Sequence, residues 1–144
     1  MPKWRIVAVF AAFGLIGPFF RLVVFRPAET FATIYVVQSI TLLVWPAQVF
    51  GHMETSLGTA LSLALAISAN VLLFTILGVI ASLAAGRAVL LWVVQVTVFG
   101  LVTAWAHLWR GFDAWWALLA ALLIYSVPFE LVRRKATRVV GTRG

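Results

Sequence analysis

Five long apolar stretches, at about 6–25, 31–50, 57–85, 88–109 and 112–132, occupy nearly the whole chain. A helix needs roughly 20 apolar residues to cross a hydrocarbon layer about 30 Å thick. The second, third and fourth stretches contain no charged residue, and the fifth carries charge only near its ends, at Asp113 and Glu130. The runs are continuous rather than alternating with a period of two, and are about twice the length of a barrel strand. These features predict an all-α, polytopic membrane bundle. It forms a single domain over residues 1–144, with four spans, an N-terminal segment that spans or is re-entrant, and a basic tail at 133–144.

Composition gives the same answer. The chain is 64% hydrophobic and 10% charged, whereas soluble domains carry about 25% charged residues. A soluble fold of this size could not cover its surface. The absence of cysteine removes disulfides, thiolate metal sites and a cysteine nucleophile.

The net charge of +7 is distributed over helix ends. If the side of the C-terminal tail is called inside, alternating spans collect Arg21, Arg26, Arg87, Arg133, Arg134, Lys135, Arg138 and Arg143 there, against Arg110 alone outside. That is the positive-inside bias, and it places the C-terminus in the cytoplasm, in keeping with a bacterial cytoplasmic membrane. Nucleic-acid binding would need a folded basic surface with base-reading or stacking groups, and the sequence offers none. The expected partners are the lipid bilayer and other membrane proteins or further copies of the chain.

The first stretch gives conflicting signals. If it spans, Lys3 and Arg5 fall outside. If it is re-entrant, they join the inner side, which charge prefers. Length favours spanning, so five spans is the expectation. Gly14, Gly17 and Pro18 weaken its second half. Trp45, Trp105, Trp109, Trp115 and Trp116 fall near the outer boundary and Trp92 near the inner one, as an interfacial belt would.

Two ladders of small residues mark the third stretch as the packing centre: Gly58, Ser62 and Ala66, leading to Asn70, and Gly78, Ser82 and Gly86. Counted along the helix, the ladders lie on roughly opposite faces, about 160° apart, which implies partners on two sides. Gln38, Asn70, Gln95, Tyr125 and Ser126 fall within the apolar runs. An amide or hydroxyl in hydrocarbon needs a partner, so these groups are expected to face one another or water.

Residues of catalytic type gather on the outer side as His52, Glu54, His107 and Asp113, beside Arg110. Two imidazoles and two carboxylates suit acid–base chemistry or zinc, but His52-x-Glu54 is not a ligand spacing and no HExxH occurs. No cofactor or metal fingerprint is present. Three functional readings follow. The leading one is a non-catalytic membrane subunit or scaffold acting through helix packing. The others are a small oligomeric carrier or pore lined by the intramembrane polar groups, and a membrane enzyme acting on a lipid-linked substrate through the outer cluster.

Overall fold

The computed structural model describes residues 2–19, 43–47, 58–110 and 115–141. Among these residues the architecture is all-α, with four helices: α1 (Lys3–Phe19), α2 (Thr59–Ala84), α3 (Ala88–Arg110) and α4 (Trp115–Gly141). Of the second apolar stretch only 43–47 are described, so Gln38 lies outside the described residues.

The helix boundaries follow from local chemistry. α2 starts after Gly58 and gives way to a turn before Gly86, both of which have positive φ, at 85° and 92°. Only glycine takes such angles without a steric penalty. Arg87 donates its N–H to the Ala84 carbonyl and accepts from Leu91, which closes the α2–α3 hairpin and opens α3. Gly58 and Gly86 are therefore turn residues, and among the described residues nothing lies within 4 Å of a Cβ added at either. α4 runs on to Gly141, well past the expected end at 132. Arg, Lys and Ala are good helix formers, so polarity there ends the apolar run and not the helix.

Each helix buries one face. On α1 these are Ile6, Phe10, Phe13, Gly14, Gly17 and Pro18. On α3 they are Leu91, Gln95, Val98, Phe99 and Val102, and on α4 Tyr125, Pro128, Phe129 and Val132. All three sets recur at three or four residues, the spacing of a helical stripe.

α2 buries Ala81 and Ala84 and, in addition, the series Ser62, Ala66, Asn70, Phe74, Gly78 and Ser82. This is one ridge of four-residue steps, each advancing about 40° beyond a full turn. The two ladders expected on opposite faces are thus two halves of one winding seam. Its first half meets residues 43–47 and its second half meets α1.

Side-chain contacts set the directions. A Cβ on Gly14 would lie 3.0 Å from Phe74 and 3.1 Å from Val71, and one on Gly78 would lie 2.9 Å from both Phe10 and Val7. α1 is therefore antiparallel to α2. Phe10 packs edge-on against Phe129 at 5.1 Å and Phe13 lies 6.3 Å from Tyr125, so α1 is antiparallel to α4 as well. Arg133 lies over Trp92 at 4.2 Å and Phe99 meets Tyr125 at 6.1 Å, which orients α3 against α4. One end of the bundle consequently carries Lys3, Arg5, Arg87, Arg133 and Arg134. The start of α1 lies with the basic residues, whereas an arrangement of five spans would put Lys3 and Arg5 at the other end. α1 as described has 17 residues, about 25 Å of helix, and begins three residues before the apolar stretch at 6–25.

Among the described residues, two stretches of helix are long and apolar enough to cross a membrane, Ala60–Ala84 and Ala88–Trp105. Only 22% and 28% of their most apolar windows are buried. Leu72, Ile76, Val79 and Leu83 on α2, and Val89, Val93, Val96 and Leu101 on α3, point outward.

Candidate functional site

The most heavily constrained point in the fold lies where α1 ends, where residues 43–47 turn, and where Asn70 and Tyr125 meet both. Two prolines create it. Pro18 has no N–H, so the carbonyl of Gly14, four residues earlier, loses its helical donor. Pro46 pushes Trp45 out of the helical region. The helical path accordingly stops at Val44 and a 3₁₀ turn begins at Pro46. Carbonyls in the last turn of a helix have no intrahelical N–H to accept from. A buried carbonyl without a donor costs about 1–3 kcal/mol.

Side chains from other helices supply the missing donors. Asn70 Nδ2 donates to the Gly14 carbonyl at 2.7 Å and lies 3.4 Å from the Val44 carbonyl. Tyr125 Oη donates to the Leu43 carbonyl at 2.6 Å. Trp45 Nε1 reaches the Ala66 carbonyl at 3.2 Å, and Trp105 Nε1 reaches the Pro46 carbonyl at 3.3 Å. Two broken stretches of backbone are thereby tied to α2, α3 and α4. Trp45 is only 4% exposed, so it belongs to the core and not to the outer interfacial belt.

Aromatic rings seal the site from the basic side. Phe74 stacks on Tyr125 at 5.6 Å, Phe13 packs on Phe74 at 5.5 Å, and Phe99 meets the Tyr125 ring edge-on. Close backbone approach brings the partners within reach. A Cβ on Gly17 would collide with the Val44 carbonyl and lie 2.7 Å from its carbon. Beside the turn, Pro46, Ala47, Ala69, Leu73, Leu101, Val102 and Trp105 line an apolar groove of about 320 Å³.

Among the described residues, the polar groups of the apolar runs therefore do not converge on one another. Asn70 and Tyr125 converge on backbone. Gln95 is buried on α3, and among the described residues neither its Oε1 nor Asn70 Oδ1 accepts a hydrogen bond. Ser126 bonds back to the Leu123 carbonyl at 2.7 Å on its own helix. On α2, Ser62 and Ser82 bond back to Gly58 and Val79, so their hydroxyls are satisfied within the seam.

His52, Glu54 and Asp113 lie outside the described residues. His107 is exposed in the last turn of α3. Among the described residues no three His, Asp or Glu side chains come together as a metal site would need. Proline signals the important positions. A proline inside an apolar helix orphans the carbonyl four residues before it, so Pro18 points to Gly14 and to a donor on a neighbouring helix.

No protein-family model, curated protein or solved structure matches the chain.

Proposed function

We propose that the chain is an integral membrane protein of a bacterial cytoplasmic membrane. Its Arg133–Arg134 end faces the cytoplasm, and it works as a non-catalytic subunit or scaffold through helix packing. The observation that carries this reading is the use of its polar interior. The amide N–H₂ of Asn70 and the hydroxyl of Tyr125 are committed to backbone carbonyls, and aromatic rings fill the space beside them. Such groups hold a shape; they do not line a path for a solute. The membrane setting is supported by the outward Leu, Ile and Val of α2 and α3, because a soluble monomer rarely exposes a contiguous apolar patch above a few hundred Å². The gathering of cations at one end is the further support.

The test is purification of the tagged chain from native membranes in a mild detergent, with identification of what accompanies it. The expected result is a stoichiometric membrane-protein partner, or a defined assembly of several 15.8 kDa copies. A monodisperse single copy accompanied only by lipid would overturn the scaffold reading.

A further inference from the structure

The basic end of the bundle is assembled from separate parts of the chain. Lys3 and Arg5 come from the first turn of α1, Arg87 from the α2–α3 hairpin, and Arg133 and Arg134 from α4. Lys3, Arg5 and Arg87 are exposed, and the Arg134 side chain is 74% exposed. Among the described residues one carboxylate stands with them, Glu130, which binds Arg133 and Arg134 at 3.0 and 2.9 Å.

Two tryptophans flank the cations, each with a guanidinium at its ring. Arg5 lies 5.3 Å from the Trp4 ring centre and Arg133 lies 4.2 Å from that of Trp92. Both rings are largely exposed, at 65% and 51%. Leu83 and Val89 beside the cations, and Ile76 and Val96 further along α2 and α3 than the rings, make the outward surface apolar. Cations, then amphipathic rings, then bare aliphatic surface is the order of chemistry met on passing from phosphate to acyl chain in a bilayer.

We propose that this end is a docking surface for anionic phospholipid headgroups, with Lys3, Arg5, Arg87 and Arg134 as the phosphate-facing cations. The inference rests on the membrane reading above and adds a lipid class to it. A nucleic acid would meet the same charges but would leave the adjoining Leu83 and Val89 surface uncovered. Each basic residue at an anionic surface shifts association by about fivefold, a factor that corresponds to about 1 kcal/mol.

The experiment reconstitutes the full chain into phosphatidylcholine vesicles containing spin-labelled phosphatidylglycerol or spin-labelled phosphatidylcholine. It measures their relative association with the protein. The wild type is expected to prefer phosphatidylglycerol by at least about fivefold at low ionic strength. The preference should fall towards unity in 0.5 M NaCl, where the screening length is about 4 Å. The combined variant Lys3→Gln, Arg5→Gln, Arg87→Gln, Arg134→Gln should lose it, and a version with lysine at the three arginine positions should keep it. Equal association of the two lipids with wild type at low salt would overturn the proposal, as would full preference in the glutamine variant. Incorporation into pure phosphatidylcholine vesicles, read by flotation, separates the two claims. Wild type that incorporates but shows no preference overturns only the lipid-class inference, whereas wild type that does not incorporate overturns the membrane reading and with it this one.

Discussion

At the scale of single residues, the glycines divide by what surrounds them. Gly78 sits where α1 and α2 touch, and a Cβ there would lie 2.9 Å from the Val7 Cα. Since that neighbour is backbone, the helices must separate, and Gly78→Ala is expected to cost about 1–3 kcal/mol by overpacking. Gly86 has open space but a φ of 92°, so Gly86→Ala is expected to cost about 1–2 kcal/mol through conformation alone. Gly100 has neither constraint, and Gly100→Ala is expected to stabilise α3 by about 0.5–1 kcal/mol. Thermal unfolding in detergent micelles should rank the variants in that order, with Gly78→Ala melting lowest. A Gly78→Ala protein as stable as wild type would contradict the close α1–α2 contact.

At the scale of elements, the question is why α1 and residues 43–47 end where they do and what tolerates those ends. If Asn70 replaces the donor that Pro18 removes, the two residues must be energetically coupled. Asn70→Ala alone is expected to cost about 1–3 kcal/mol. In a Pro18→Ala background, where residue 18 has an N–H for the Gly14 carbonyl, the cost is expected to drop by about 1 kcal/mol. A double-mutant cycle measures this, and additive effects would rule the replacement out. The elements themselves were only partly legible in the chain. α2 and α3 match their apolar runs almost to the residue, because turn chemistry at Gly58 and Gly86–Arg87 coincides with the change in polarity. α4 does not, because Arg133 and Arg134 end the apolar run without ending the helix. The polar residues Asn70 and Tyr125 stood out in the sequence, but their partners did not. A residue's burial is encoded in its own chemistry, whereas its hydrogen-bond partner depends on the register between helices far apart in the chain. The winding of the α2 seam was hidden for a related reason. Counting angles along an isolated helix separates Ser62 from Gly78, and the ridge that joins them meets residues 43–47 along one half and α1 along the other.

At the scale of the whole molecule, the antiparallel contacts of α1 with both α2 and α4 place Lys3 and Arg134 at one end. In a membrane, that end faces a single compartment. Because the chain has no cysteine, single cysteines introduced at positions 3 and 134 can be labelled without interference. Both are expected to react with an impermeant maleimide from the same side of oriented membrane vesicles. Reaction from opposite sides would contradict the helix directions and restore a five-span topology. The bond between Asn70 and Gly14 also bears on how the protein is made. Its partners are separated by 56 positions in the chain, and at a synthesis rate of about 5–20 residues per second the second follows the first by about 3–11 s. During that interval the nascent first helix carries a main-chain acceptor that its own sequence cannot satisfy. In a membrane, the N-terminal segment is therefore expected to reach its final packing only after α2 has been translated, which ties the order of assembly to the position of a proline.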